Sequence, residues 1–429
     1  MEATTTHTFD APADLGRYRT RALLVGVVSL VAGAVLAFLM GQTAGYGGLV
    51  HVLRSYLVGF FFVTGVSVGS LAWLCLGHMT GGAWAITSRR LFEAATRCIP
   101  LCAVLFLPVV VSLFVHDHGA GHAGGHAVSV YEWSDPAALA GDEALRHKRA
   151  YLNVPFFIVR ALVYFAVWFG MALILSRWSA AQDRAADPRI RRRMQDISGP
   201  GILLFGLTVT FAAIDWGMSL EPHWFSTIYG LIIMAGWGLS ALAFMIAVAT
   251  YLGGREPMAH AYQPLHFHDW GKLLLALVML YAYFSFSQFL ITWAGNLPEE
   301  IPFYLRRLRG GWQFVGLLII LFHFALPFVL LLSRGRKRAP RSLRRVALLM
   351  IFMRVVDLVF FFAPSVHQGG GPDWRASDLA RSFLPMLAMA VGLGGIWLWF
   401  YFGQLASRPL LPLGERDLAQ AIAPAEGHH

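Results

Sequence analysis

Ten apolar runs of about twenty residues recur along almost the whole chain, and this repetition limits the possible folds more than any other feature. A run of this length crosses the hydrocarbon core of a bilayer as an α-helix, which satisfies its own backbone hydrogen bonds. The runs, numbered here as spans 1 to 10, cover approximately 21–41, 56–78, 93–115, 155–177, 200–220, 226–252, 271–293, 311–333, 344–362 and 383–404. Because 57% of the residues are hydrophobic and 14% are charged, no sizeable soluble domain remains. The sequence therefore predicts an all-α integral membrane protein with ten transmembrane helices.

The predicted organisation is one membrane domain between two short tails. The tails are 1–20 and 406–429, and the ten-helix domain covers 21–405. The longest segment outside the membrane is 116–153, which joins spans 3 and 4 and is predicted to lie on the outer side.

Orientation follows from the distribution of Lys and Arg. Most of them lie in the tails and loops on the side of both termini, and the positive-inside rule places that side in the cytoplasm. The net charge of +10 has the same origin, because the basic runs 189–193 and 334–345 are expected to face anionic lipid head groups. The charge pattern gives no indication of a nucleic-acid partner.

Several classes of chemistry have no signature in the sequence. The cysteines Cys75, Cys98 and Cys102 lie in or at the ends of apolar runs without a CxxC pattern, so neither an iron–sulfur cluster nor a disulfide framework is predicted. No phosphate-binding loop is present either, which argues against nucleotide hydrolysis. His78 and His323 are poorly matched as haem ligands, because His78 lies near the inner surface and no other span offers a partner at either depth.

The segment 116–153 begins with HDHGAGHAGGH. Its imidazoles are potential zinc or copper ligands, but the glycines between them are costly to order and the spacing matches no familiar ligand pattern. We therefore predict no metal site, and a solvated loop that contacts partners is the favoured interpretation.

The segment 211–230, FAAIDWGMSLEPHWFSTIYG, places Asp215, Glu221 and His223 at the outer end of span 5. Ionisable side chains are costly within a bilayer and usually mark a functional site. A carboxylate beside an imidazole could relay protons. The alternative is that Glu221 caps a turn and His223 anchors the chain at the head groups.

Two further spans carry polar residues at the depth of Asp215. At a rise of 1.5 Å per residue, Asp215, Gln288 and Asp357 all lie roughly 20 to 25 Å from the inner ends of their helices. This common depth predicts one shared pocket in the outer layer. Arg354 lies three residues before Asp357, so the two are expected to form an ion pair, which has either a structural role or a role in proton movement.

Four segments resemble one known family when taken together. They are AIDWGMSLEPHWFSTIYG (213–230), FSQFLITWAGNLPEEIPFY (286–304), HFALPF (323–328) and RVVDLVFFFAP (354–364). They are similar to the ActF-type membrane subunit of alternative complex III, a relative of the NrfD and polysulfide-reductase membrane anchors. The resemblance covers most of the chain in order.

The resemblance implies a subunit of a respiratory quinol:electron-acceptor oxidoreductase in the bacterial cytoplasmic membrane. The implied fold has two four-helix bundles, spans 2–5 and 6–9, flanked by spans 1 and 10. Multi-haem cytochrome c and iron–sulfur subunits on the outer side would be its partners, together with an NrfD-like sister subunit in the membrane. This chain would hold menaquinol or ubiquinol, or protons, while its partners carry the electrons.

Residue roles are carried over by position. Asp215, Glu221, His223, Arg354 and Asp357 would transfer protons. A quinol head group would be bound by Gln288 and flanked by Trp216, Phe286 and Phe289, because such sites are mostly apolar with a few placed polar groups.

Two other functions remain open from sequence. Glycine-interrupted spans such as 230–238, and a possible duplication of spans 2–5 in 6–9, would suit an autonomous proton-coupled transporter. A purely structural membrane anchor is the third possibility. The GxxxG pattern of Gly65 and Gly69 indicates close helix packing and is compatible with all three.

Overall fold

The predicted fold class is confirmed by a computed structural model. The structure describes residues 9–44, 47–117, 128–366 and 376–423, and it is 83% helical with almost no sheet. The described part contains ten helices that are long and apolar enough to cross a membrane. Spans 1 to 10 are Leu15–Thr43, Gly48–Thr80, Ala83–Phe114, Val154–Ala185, Pro188–Leu220, Tyr229–Leu252, Pro264–Gly295, Trp312–Leu332, Pro340–Ser365 and Leu379–Leu405. The protein is therefore an all-helical, multi-pass membrane protein.

Several spans extend beyond their apolar runs because capping residues start the helices earlier. Span 5 begins at Pro188, twelve residues before the predicted start, because the Asp187 side chain accepts a hydrogen bond from the Arg189 backbone N–H. Span 4 begins after Asn153, whose side chain accepts from the Phe156 N–H. Such caps satisfy backbone donors that a helix leaves free in its first turn.

Two spans are not continuous α-helices. Span 3 consists of Ala83–Thr96, Ile99–Leu105 and Leu107–Val111, followed by the 3-10 turn Ser112–Phe114. Prolines occupy the first turns of its second and third pieces, where they add no new unsatisfied donor.

Span 8 contains a π-helical segment. Its pieces are Trp312–Leu318, the π segment Ile319–Ala325 and Leu326–Leu332. A π segment widens the helix locally and often occurs at functional sites. This one contains His323.

Short elements lie between the spans and after the last one. They are the antiparallel pair His116–Asp117 and Val128–Ser129, the 3-10 turn Glu132–Ser134, and the helices Pro136–Gly141, Glu143–Lys148, Ile301–Arg307, Arg334–Arg338 and Leu418–Ile422. The 3-10 turns Met218–Leu220 and Ala363–Val366 end spans 5 and 9. We call the side with residues 128–153 the loop face, and the side where residues 9 and 423 lie the termini face.

The spans form two bundles. Spans 2–5 pack around one another, as do spans 6–9, while spans 1 and 10 pack on each other and on span 2. Spans 2 and 6 join the bundles, because span 2 packs along span 6 and span 6 also contacts spans 5, 7 and 9. This arrangement matches the predicted two bundles with flanking spans 1 and 10.

Gly65 and Gly69 lie at the junction of the bundles. A Cβ on either glycine would collide with Trp237 of span 6, with the indole at Gly65 and with the backbone carbonyl at Gly69. The GxxxG pattern therefore allows spans 2 and 6 to approach closely, as small residues do in membrane helices.

We expect Gly69→Ala to destabilise the protein by about 1–3 kcal/mol, because the Trp237 backbone cannot move aside without shifting span 6. The measurement is the unfolding temperature of the purified chain in detergent. Gly170→Ala in span 4 is the matched control, because nothing lies within 4 Å of the position of its Cβ. Equal effects of the two substitutions would contradict the proposed packing role of Gly69.

The C-terminal segment is packed rather than free. Leu410 and Leu411 are fully buried, and the Leu410 N–H donates to the Phe9 carbonyl at 2.7 Å. Glu415 forms ion pairs with Arg89 at 2.7 Å and Arg191 at 3.2 Å. The predicted tail 406–429 therefore covers the termini face as far as residue 423, the last that the structure describes.

The termini face also contains a buried charge cluster around Glu93. Glu93 accepts from Arg90 at 2.6 Å and from the Ser179 hydroxyl at 2.5 Å. Arg97, one turn further on, donates instead to the Gln404 carbonyl at 2.6 Å, at the end of span 10. These contacts connect spans 3, 4 and 10 at their ends.

Candidate functional site

Asp215 is fully buried, and both of its carboxylate oxygens are held from span 4. Arg160 donates from Nε to Oδ2 at 2.8 Å and from Nη2 to Oδ1 at 2.9 Å. The Tyr164 hydroxyl donates to Oδ2 at 2.7 Å. The guanidinium also donates to the Tyr151 carbonyl at 2.9 Å and lies over that ring. Because a bidentate guanidinium is among the strongest partners of a carboxylate, Asp215 is satisfied within the bundle of spans 2–5.

Trp216 lies in the core of the same bundle. Its side chain is fully buried, with ring centroids 4.9 Å from Phe106, 5.7 Å from Phe165 and 5.8 Å from Trp168. Its carbonyl accepts from the Tyr131 hydroxyl at 3.0 Å. These aromatic neighbours surround the indole, so it cannot flank a quinol head group as predicted.

The prediction of one shared pocket is corrected by this geometry. Asp215 and Asp357 have separate partners on different helices, and span 6 packs between spans 5 and 9. The common depth of Asp215, Gln288 and Asp357 gives only their positions along the membrane normal. It does not determine which direction around a bundle each side chain faces. Asp215 lies in the bundle of spans 2–5, whereas Gln288 and Asp357 lie in the bundle of spans 6–9.

Glu221 joins three segments at the loop face. Its carboxylate accepts from Arg306 at 2.8 Å, from Arg307 at 3.0 Å and from the Ser365 hydroxyl at 2.6 Å. The two arginines belong to the short helix after span 7, and Ser365 ends span 9. Glu221 therefore fastens the turn between spans 5 and 6 to the bundle of spans 6–9.

Arg307 is the most buried member of this group. Its guanidinium donates to the carbonyls of Phe303 at 2.7 Å, Phe360 at 3.1 Å and Phe361 at 2.5 Å, besides Glu221. Burial lowers the pKa of Arg307, and the Glu221 carboxylate opposes that shift. The arginine compensates three carbonyls and one carboxylate that would otherwise be buried without partners.

His223 lies apart from the Glu221 carboxylate. Its side chain is half exposed, and Nε2 lies 3.0 Å from the Asp142 carboxylate in the outer segment. Nearby, Lys148 donates to the Pro222 carbonyl at 2.5 Å. The carboxylate and imidazole predicted as one relay thus have separate partners, and the His223 contact attaches the 128–153 segment to the turn between spans 5 and 6.

We expect His223→Ala to change the free energy of unfolding by less than about 1 kcal/mol, because exposed ion pairs contribute little. The measurement is chemical or thermal unfolding in detergent. Asp142→Asn should match it, since it removes the charge of the other half of the same pair while asparagine still caps the helix Glu143–Lys148. A large loss from His223→Ala alone would indicate a function for the imidazole that its contacts do not explain.

Asp357 is the centre of a second network, deep in the bundle of spans 6–9. Its Oδ2 accepts from Arg354 at 2.5 Å, as predicted for an i, i+3 pair, and from the Tyr281 hydroxyl of span 7 at 2.5 Å. No described residue donates a hydrogen bond to Oδ1. The Arg354 guanidinium lies over the Tyr281 ring at 4.7 Å and fills the space beside Gly236 of span 6.

His323 completes this network from span 8. It is buried within the π segment, and its ring packs edge-on against Tyr281 with 4.8 Å between centroids. Neither His323 Nε2 nor Arg354 Nε has a hydrogen-bond partner among the described residues. We call Tyr281, His323, Arg354 and Asp357 the central cluster. It differs from the Asp215 site in that both hydrogen bonds to its carboxylate fall on one oxygen, whereas both oxygens of Asp215 accept hydrogen bonds.

A polar stripe leads along span 7 from the central cluster towards the loop face. Tyr281, Ser285, Gln288 and Thr292 follow one another at spacings of four, three and four residues, so they share one helix face. Ser285 Oγ and Gln288 Oε1 have no partner among the described residues. Gln288 also lies near Tyr304, three residues before Arg307.

Phe289 flanks this stripe, one turn from Ser285 and Thr292, and Phe286 lies further around span 7. The side chain of Phe286 is 62% exposed and that of Phe289 is 37% exposed, and the latter packs edge-on against Tyr304. In a membrane protein an exposed apolar face of this kind contacts lipid or a neighbouring subunit. Three of the four predicted quinol contacts lie on the same part of span 7, namely Phe286, Gln288 and Phe289. Phe289 packs against Tyr304.

The described residues contain no group of three or more His, Cys, Asp or Glu side chains placed to hold a metal ion. Within the histidine run, His116 and Asp117 form part of the short antiparallel pair. His118, His122 and His126 lie outside the described residues.

No protein-family model matches the chain, and no curated protein matches it. The function proposed for the chain is therefore supported by motif resemblance and by the geometry of the two buried networks.

Sequence reasoning missed several residues of these networks. Arg160 was recognisable, because an arginine within a span requires a partner, and Asp215 lies in the next span. Tyr164 and Tyr281 carry no such signal, since tyrosines in apolar helices are common. Arg306 and Arg307 contribute to the loop charge used for orientation, and nothing in their spacing indicates the bond to Glu221.

Proposed function

We propose that this chain is a membrane subunit of a quinol:electron-acceptor oxidoreductase of the alternative complex III type, and that it conducts protons while partner subunits carry electrons. Two kinds of support converge on this proposal. The four motifs resemble the ActF-type subunit, and three of them contribute to one connected polar region, through Gln288, His323, Arg354 and Asp357.

The central cluster is the observation that carries the proposal. Four polar side chains from three helices meet within the membrane-spanning part, where uncompensated polar groups are costly and usually functional. Both hydrogen bonds to Asp357 fall on one oxygen, and the adjacent imidazole has a free ring nitrogen. A carboxylate, a phenol and an imidazole in contact can pass protons between them.

Asp215 receives a different role in this proposal. Arg160 and Tyr164 together donate three hydrogen bonds to its carboxylate, so protonating it would sacrifice a bidentate ion pair. We assign Asp215 to holding spans 4 and 5 together, and Asp357 to proton transfer. The bundle of spans 2–5 therefore has the structural role, and the bundle of spans 6–9 has the proton-conducting role.

The proposed proton path runs along the polar stripe on span 7. Ser285 and Gln288 lead from Tyr281 towards Tyr304, and the Glu221–Arg306 pair lies at the end of that route on the loop face. Oxidation of a quinol to a quinone releases two protons and two electrons. The quinol-facing edge of this chain is the part of span 7 around Gln288 and Phe289, which is open to the lipid phase where menaquinone and ubiquinone dissolve.

The remaining assignments follow from the resemblance and from charge. The chain resides in a bacterial cytoplasmic membrane with the termini face in the cytoplasm, where the positive-inside rule puts it. The loop face contacts the multi-haem cytochrome c and iron–sulfur subunits, and an NrfD-like sister subunit lies beside it in the membrane.

Purification tests this function most directly. The tagged chain, solubilised from its native membrane in a mild detergent, is expected to co-purify with c-type haem and to support quinol-dependent reduction of cytochrome c. An untagged membrane carried through the same steps is the control. A lone chain that moves a solute in proteoliposomes would favour the transporter instead, and an assembly with haem but no quinol turnover would favour an anchor of another redox complex.

A further inference from the structure

A basic cleft lies at the termini face, between the start of span 7 and the helix Arg334–Arg338 that joins spans 8 and 9. This helix packs along span 7, where the Lys337 stem lies on Gly271 and leaves no room for a side chain there. His268, Gly271 and Lys272 are related by i, i+3 and i+4, so they share the helix face that Lys337 contacts. We define the basic cleft as His268, Lys272, Lys337 and Arg338.

Positive charge in the cleft exceeds negative charge. The side chains of Lys272, Lys337 and Arg338 place positive charge near His268, and the Asp269 carboxylate places negative charge near it. Asp269 already accepts from Lys272 at 3.2 Å. The other arginines of the helix Arg334–Arg338 and of the first turns of span 9 form no ion pair with a described carboxylate either: Arg334, Arg336, Arg341, Arg344 and Arg345. An anion from outside the chain would therefore be attracted to this place.

His268 gives a second, independent indication of a ligand. The residue is 7% exposed, and its Nδ1 has no hydrogen-bond partner among the described residues. Buried polar atoms in proteins almost always have a partner. Because His268 shares the cleft-facing side of span 7 with Gly271 and Lys272, an acceptor bound between the two lysines could complete its bonding.

Lys337 is unusual among the cations of this face. Its side chain is buried by the contact with span 7, and burial together with the charge of Lys272 lowers its pKa. Two lysines held close together without an anion between them repel each other. A bound phosphate would offset that repulsion.

One arginine of the other basic run of this face is paired within the chain. Arg191 forms ion pairs with Glu415 at 3.2 Å and Asp417 at 2.9 Å, supplied by the C-terminal segment. In the cleft, Asp269 pairs with Lys272, and no described carboxylate forms an ion pair with Lys337 or Arg338. Lys337 and Arg338 are therefore open to an anion from outside the chain.

We propose that the basic cleft binds the phosphate of an anionic phospholipid head group. The phosphate oxygens accept from the ammonium groups of Lys272 and Lys337 and from the imidazole N–H of His268. A lipid is favoured over free phosphate because exposed apolar side chains lie on the membrane side of the cleft, where acyl chains would run. In the last two turns of span 8, immediately before the helix Arg334–Arg338, Val329 is 61% exposed and Leu332 is 57% exposed. This site is independent of the proposed redox function.

The test is binding of phosphatidylglycerol to the full-length chain in detergent, followed by native mass spectrometry, with phosphatidylcholine as the neutral comparison lipid. The double variant Lys272→Gln/Lys337→Gln is expected to weaken phosphatidylglycerol binding about 25-fold, at roughly fivefold for each lysine near a membrane surface. Arg192→Gln/Arg193→Gln is the matched control, because it removes two exposed charges from the same face, and it should leave this binding unchanged.

Each outcome decides the proposal. Unchanged binding in the lysine variant, or an equal loss in the arginine control, would overturn it. Inorganic phosphate that competes at the concentration of the lipid would show a free-phosphate site and overturn the lipid assignment. If the double variant unfolds, His268→Asn and the charge-preserving Lys272→Arg provide the decision: the first should weaken binding, the second should retain it, and the reverse result would contradict the site.

Discussion

Arg160→Met is expected to destabilise the protein by about 3–5 kcal/mol, because it leaves the Asp215 carboxylate buried without its cation. Asp215 is fully buried and accepts three of its hydrogen bonds from Arg160 and Tyr164, two of them from the arginine. Methionine keeps an apolar stem but is shorter than arginine, so the loss combines the missing charge with the missing hydrogen bond to the Tyr151 carbonyl. The measurement is the unfolding transition of the purified chain in detergent.

A double variant separates the ion pair from its surroundings. Arg160→Met/Asp215→Leu removes both charges, and replacing a buried ion pair with apolar residues of similar volume is often neutral. We expect it to recover most of the stability that Arg160→Met loses. If the double variant is as unstable as the single one, the hydrogen bond from Arg160 to the Tyr151 carbonyl, rather than the pair with Asp215, holds the outer end of span 4.

The number of helices could be predicted because it depends on apolar length, which a sequence displays directly, whereas their grouping into two bundles was implied by the family resemblance. Ten apolar runs and their separations set the spans, and the glycines at 65 and 69 indicated a close packing contact. Boundaries were less accurate, since span 5 begins at Pro188 through a polar cap that hydropathy does not detect. Such starts depend on side-chain hydrogen bonds at the membrane surface.

The site was predicted only in part, because depth along a helix is readable from sequence and direction around a bundle is not. Arg354 and Asp357 pair as expected, since both lie on one helix. The partners of Asp215 and Glu221 are on other helices, and no periodicity identifies them. Gln288, predicted to bind a quinol head group, is buried on span 7, whereas Trp216 belongs to the core of the other bundle.

The two buried aspartates differ in their hydrogen bonds, because both oxygens of Asp215 accept and only Oδ2 of Asp357 does. In the intact complex, Asp357→Asn is expected to lower quinol-dependent turnover about a hundredfold, because the amide keeps the size of the carboxylate but cannot accept and release a proton. Proton release measured with a pH-sensitive dye should fall with it. Equal binding of partner subunits, checked by the haem content of the purified complex, shows that assembly is intact.

Two tyrosines provide a matched pair for the same question. Tyr281 donates to Asp357 at 2.5 Å and Tyr164 donates to Asp215 at 2.7 Å, so Tyr→Phe removes one hydroxyl from a buried aspartate in each case. If protons pass through the central cluster, Tyr281→Phe slows turnover, while Tyr164→Phe lowers stability alone, by about 1.5–3 kcal/mol. Slower turnover from Tyr164→Phe with Tyr281→Phe at the native rate would reverse the assignment and move the proton path to the Asp215 bundle.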